Sequence, residues 1–83
     1  MAKMTFEEAL KWIADIFEEP VEHIRAETPR SEIKAWDSLG FLTLMARFDE
    51  DLGVLLEDSE LQGMNNVVDV LDTMRKHGKL NGT

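Results

Sequence analysis

Trp36-Asp37-Ser38-Leu39-Gly40-Phe41-Leu42-Thr43-Leu44-Met45-Ala46-Arg47-Phe48-Asp49-Glu50-Asp51-Leu52-Gly53 is the stretch on which the fold of this chain turns. Asp37 is placed to start a helix: its side-chain oxygen can accept from the orphan amides of the next turn, and its charge suits the positive end of the helix dipole. Beyond it Leu39, Leu42, Leu44, Met45, Phe48 and Leu52 recur at helical intervals, which predicts a helix from Ser38 to Leu52. They are too many for one narrow stripe. Leu39 is expected to pin the first turn to a core. Ser38 falls in that turn, at a loop–helix junction where its hydroxyl is open to another protein. An Asp-Ser pair also serves as a plain helix cap with no further role.

Towards the N-terminus, Thr5 and Glu8 have the spacing of a capping box, and Phe6, Ala9, Leu10, Ile13, Ile16 and Phe17 follow at helical intervals. They predict a first helix of about thirteen residues that ends before Pro20. Trp12 lies beside the stripe and is expected at the core or its edge. From Glu19 to Trp36 the periodicity is lost, and a loop of that length is unusual in so small a domain. Val21 and Ile24 are expected to anchor it and Ile33 and Trp36 to close it over the bundle. His23 has no partner at metal or catalytic spacing and is expected to be a solvated loop histidine.

Towards the C-terminus, Asp58 to Gly63 predicts a short helix or a single turn. Asn65 or Asn66 then caps a last helix bearing Val67, Val70, Leu71 and Met74. Arg75, Lys76 and His77 suit the negative end of that helix, and Gly78 can take a left-handed stop. Lys79 to Thr83 is expected to fray. The acids Asp49, Asp51 and Glu60 invite comparison with a calcium-binding loop, with Glu60 at the twelfth place counted from Asp49. The comparison fails, because Val54 occupies the sixth place, where glycine is required.

With 83 residues the chain makes one domain, its ordered part running over about 5–77, near the size where a hydrophobic core is barely sufficient. It has no cysteine, hence neither a disulfide nor a thiolate metal site, which fits a cytoplasmic setting. Seventeen acids against nine Lys and Arg give a formal charge of −8, which argues against nucleic-acid binding and favours partners with basic patches. No apolar run approaches the length of a membrane span, so no membrane insertion is expected.

From Phe6 to His77 the chain resembles the acyl carrier proteins. Trp36-Asp37-Ser38-Leu39-Gly40 resembles their prosthetic-group attachment site. Phe48-Asp49-Glu50-Asp51-Leu52-Gly53-Val54 resembles the end of their second helix, and Met64-Asn65-Asn66-Val67-Val68-Asp69 the polar step into their last one. The resemblance implies an all-α, four-helix bundle with three longer helices, one short one and a long ordered loop between the first and second. The core is expected to comprise Phe6, Leu10, Ile13, Phe17, Leu39, Met45, Phe48, Leu52, Leu61, Val67, Val70, Leu71 and Met74.

It also implies a function. Ser38 would accept phosphopantetheine from coenzyme A and become a covalent tether for acyl, aminoacyl or peptidyl thioesters, while Asp37 would assist loading besides capping the helix. Leu44, Met45, Phe48 and Leu52 would face inward, leaving Leu42, Ala46, Arg47, Asp49 and Glu50 as a docking face. Partners would be a phosphopantetheinyl transferase, an acyl- or aminoacyl-activating ligase and acyltransferase or synthase enzymes, with the carrier acting as a monomer. Carriers of fatty-acid synthesis usually bear acids along the exposed face of the second helix, where this chain has Gly40, Thr43 and Arg47. A specialised pathway is therefore expected over general fatty-acid synthesis. The competing expectation is an acidic helical module that only binds other proteins, with Ser38 unmodified. A freestanding enzyme has little support, since no histidine, carboxylate pair and nucleophile are arranged for catalysis.

Overall fold

The computed structural model describes residues 3–81. Four α-helices follow one another: α1 Phe6–Phe17, α2 Ser38–Leu52, α3 Asp58–Gln62 and α4 Val67–Lys76. Two 3-10 turns, Val21–His23 and Arg30–Glu32, punctuate the loop between α1 and α2. The described residues form no β-strand, only two isolated bridges. The molecule is thus all-α, with three longer helices and one of five residues.

Local chemistry sets the helix ends. Thr5 Oγ1 accepts from the Glu8 amide at 3.1 Å while Glu8 Oε1 accepts from the Thr5 amide at 2.9 Å, so the capping box is closed. Asn66, not Asn65, caps α4, and Asp69 completes that box. Gly53 ends α2 at a φ of 67°, with Val54 N–H donating back to Phe48 O at 3.0 Å. Gly78, just past α4, takes a φ of 74°. At the end of α1 the left-handed place falls on Glu18, φ 54°, where a side chain is disfavoured.

The core runs from Ala9, Ile13, Ile16 and Phe17 of α1 through Leu44 and Phe48 to Leu61, Val67, Val70, Leu71 and Met74. Trp12 meets Phe48 edge to face at 5.2 Å and donates its indole N–H to Asp51 Oδ2 at 2.7 Å. Leu10, Met45 and Leu52 are half-buried against this cluster, whereas Phe6 and Leu39 are exposed, contrary to expectation. Phe6 is the first residue of α1. The end of the chain also departs from expectation: Met4 N–H donates to Lys79 O, Asn81 N–H donates to Met4 O, and Leu80 is buried. Lys79 to Asn81 therefore dock instead of fraying; Gly82 and Thr83 lie outside the described residues.

The long loop is ordered because it completes α4. Val67 and Val68 begin that helix, and their amides lack intrahelical acceptors. They donate instead to Thr28 O at 2.9 Å and Ala26 O at 2.8 Å in the loop, and Arg30 N–H donates to Asn65 O. Thr28, the one buried polar residue described, accepts from the Arg25 amide through Oγ1. Ile24, Ile33 and Trp36 insert from the loop into the core, Trp36 stacking on Phe17 at 5.0 Å, while the Val21 side chain stays outside it.

Candidate functional site

The first turn of α2 is built by Asp37, Gly40 and the loop that precedes them. Asp37 is extended, and its Oδ1 accepts from the Gly40 amide at 3.0 Å. Gly40 is buried because the chain at Ala35 crosses directly over it. A Cβ at Gly40 would overlap the Ala35 carbonyl oxygen and approach Phe17 Cε1 to 3.3 Å. Glycine is thus what lets Trp36 reach its place on Phe17 while the loop stays against α2.

That packing sets the phase of the whole helix. With Gly40, Leu44 and Phe48 directed inward, Leu39 and Leu42 turn to solvent, at 71% and 59% exposed. Leu39 does not pin the turn to the core; Gly40 and the loop do. Ser38, the first residue of the helix, is exposed, and its hydroxyl bonds to no described residue. Ala46, Asp49 and Glu50 continue the outward surface with Thr43. Leu44 and Phe48 face inward as expected, with Met45 and Leu52 half-buried beside them.

Arg47 does not belong to the open face. Its Nε donates to Asp51 Oδ2 at 2.8 Å and Nη1 to Asp15 Oδ2 at 3.1 Å, so it bridges α2 to α1. The Trp12 indole, ahead of the Arg47 guanidinium, holds the Asp51 carboxyl below its ordinary range. Of the three expected departures on the open face, Gly40 is buried and Arg47 is neutralised; only Thr43 is open to solvent.

Shallow grooves flank the helix. On one side Asp37, Leu39, Gly40 and Thr43 meet Ile16 and Glu18 around about 220 Å³. On the other, Phe41, Leu42 and Met45 face Asp58, Leu61 and Gln62 of α3 across about 200 Å³. Leu55, 77% exposed in the turn after α2, is an apolar surface residue flanked in the chain by the buried Val54 and Leu56, a position sequence reasoning missed. His23 is solvated as expected, its Nδ1 3.4 Å from Glu19 Oε1. No group of three or more described His, Asp or Glu residues is placed to hold a metal ion, and no described helix is long and apolar enough to cross a membrane.

The arrangement presents an exposed primary hydroxyl at the capped start of α2, followed along the helix by the outward Leu39 and Leu42. Comparison with protein-family models, with curated proteins and with solved structures finds no match to this chain.

Proposed function

We propose that the chain is an acyl carrier protein with an acyl-carrier-like four-helix bundle. Ser38 is its attachment point for phosphopantetheine, and the terminal thiol of that arm carries acyl, aminoacyl or peptidyl groups as thioesters. The observation that carries the reading is the exposure of Ser38 at the first position of α2, behind the Asp37 cap and beside Leu39 and Leu42. Loading forms an Oγ–phosphorus bond and breaks the pyrophosphate of coenzyme A, releasing its nucleotide half. Asp37 sits next to that chemistry and assists it from the transferase's metal side.

Docking uses the outward face of α2. Leu39, Leu42 and Ala46 offer a small apolar contact, and Asp49 and Glu50 attract basic partners. Such an interface is small and releases quickly, as a carrier visiting several enzymes requires. The first turn of α2 carries no acid. A specialised pathway is favoured on that ground, and no longer on the charge of Arg47.

Intact-protein mass tests the proposal. After incubation with coenzyme A, magnesium and a broad-specificity phosphopantetheinyl transferase, the wild type gains one phosphopantetheine group and Ser38→Ala gains none. No gain in folded wild-type protein sinks the carrier reading and leaves Leu39, Leu42 and Leu55 as the surface of a module that only binds other proteins.

A further inference from the structure

Among the described cations of this acidic chain, Arg30 is the one stacked on an aromatic ring. Its Nε donates to Trp36 O at 3.4 Å, and its guanidinium carbon lies 4.4 Å from the centroid of the Phe41 ring. Stacking on an aromatic face is favourable for a guanidinium and orients its plane. No described carboxylate pairs with it, as is also true of Lys11, Arg25 and Lys34, whereas Arg47, Arg75 and Lys76 each have an acidic partner. Two contacts hold the side chain in place and leave its terminal nitrogens for something else.

Those contacts bracket Ser38. Trp36 lies two residues before it and Phe41 three after. Ser38 and Phe41, three apart on α2, share a side of the helix, so the two contacts put the Arg30 side chain against the segment that carries the serine. Lys34, also without a described acidic partner, lines with Arg30, Ser31 and Asn65 an open groove of about 460 Å³. A planar guanidinium fork matches two phosphate oxygens, and an ammonium adds a second charge. Asp37, the acid next to Ser38, is already engaged by the Gly40 amide, and Glu32, two residues from both Arg30 and Lys34, is exposed and forms no described ion pair with either.

We propose that Arg30, backed by Lys34, is the counter-ion and positioning residue for a phosphate ester on Ser38 Oγ. The inference builds on the reading of Ser38 as an attachment point and names the group that receives the new negative charge. It concerns the phosphate itself, whether a phosphodiester to an arm or a phosphomonoester.

The two esters give separate tests by phosphorus NMR on the full chain. With phosphoserine introduced at position 38 during translation, the second phosphate pKa falls in the wild type relative to Arg30→Gln by about 0.5 pH unit at low salt. Arg30→Lys lies between them, Lys34→Gln shows a smaller difference, and added salt narrows all of them. Loss of packing alone would lower the melting temperature of the unphosphorylated variant without moving this pKa. If Arg30→Gln does not fold, Arg30→Lys and Lys34→Gln carry the comparison. Equal phosphate pKa values across the folded variants overturn the proposal. In the second arm, the phosphodiester resonance of the loaded chain shifts between wild type and Arg30→Gln; an unmoved resonance likewise overturns it. Should the wild type refuse loading while the phosphoserine pKa still depends on Arg30, the carrier reading fails and the phosphate site stands.

Discussion

Gly40 shows how much one missing methyl group decides. The Ala35 carbonyl occupies the place where its Cβ would be, and both obstructing groups are backbone or packed aromatic. Gly40→Ala must therefore push the loop off α2 or shift the helix. Overpacking in tight cores costs about 1 to 3 kcal/mol, and the backbone obstruction puts this site at or above the upper end. Urea unfolding of the variant measures that loss; wild-type stability would mean that the loop does not cross Gly40 as described. Asp37 offers the opposite case, a residue whose functional share exceeds its structural one. Asp37→Ala removes the bond to the Gly40 amide at a cost of about 1 kcal/mol. On the proposed function it slows phosphopantetheine loading by more than this loss of stability explains, which initial rates on folded protein at saturating transferase will reveal.

Among elements, the short α3 is held at its end by one carboxylate. Glu60 Oε1 accepts from the Glu57 amide at 3.0 Å, while Oε2 lies 2.9 Å from His77 Nε2 and 3.3 Å from Lys76 Nζ of the α4 terminus. The Glu57 amide first, then His77 and Lys76, bring the Glu60 carboxyl down to about 2. Because the folded value lies below the unfolded one, the carboxylate's contribution is fully present above about pH 4.5 and is lost as the pH falls towards 2. Wild-type stability should therefore drop more steeply than that of Glu60→Gln between those values; parallel curves would show that the carboxylate is not linked to folding. The starts of α1 and α2 were legible in the sequence because their signals are local, Thr5 with Glu8 and Asp37 before Ser38 each lying within one turn of the group they satisfy; at α4 the sequence left Asn65 and Asn66 as alternatives, and the box with Asp69 decides for Asn66. The outward turn of Leu39 was not legible. It depends on Ala35 crossing Gly40, and periodicity alone places a leucine in an apolar stripe without saying which edge of the stripe is covered.

At the scale of the whole molecule, the two ends of the described chain meet. Met4 pairs with Lys79 and Asn81 through its backbone, and Leu80 is buried. Composition gave no hint of this, since Lys79 to Thr83 has the small and polar residues of a loose tail and a single leucine. Ending the chain at Gly78 removes the burial of Leu80, worth about 1.5 to 3 kcal/mol, from a domain whose total stability is of the order of 5 to 15 kcal/mol. Thermal unfolding of that truncation is expected at a clearly lower midpoint, and an unchanged midpoint would show that the bridge contributes nothing. The long loop carries a further consequence, for the order in which the chain assembles. The amides of Val67 and Val68 find their acceptors some forty residues upstream, at Thr28 and Ala26. The last helix therefore cannot mature by itself at the rate of an isolated helix; its first turn waits for a distant closure, which slows folding beyond what helical content alone suggests. In the native protein the same two amides act as a clock, exchanging with solvent hydrogen only when the loop lifts away.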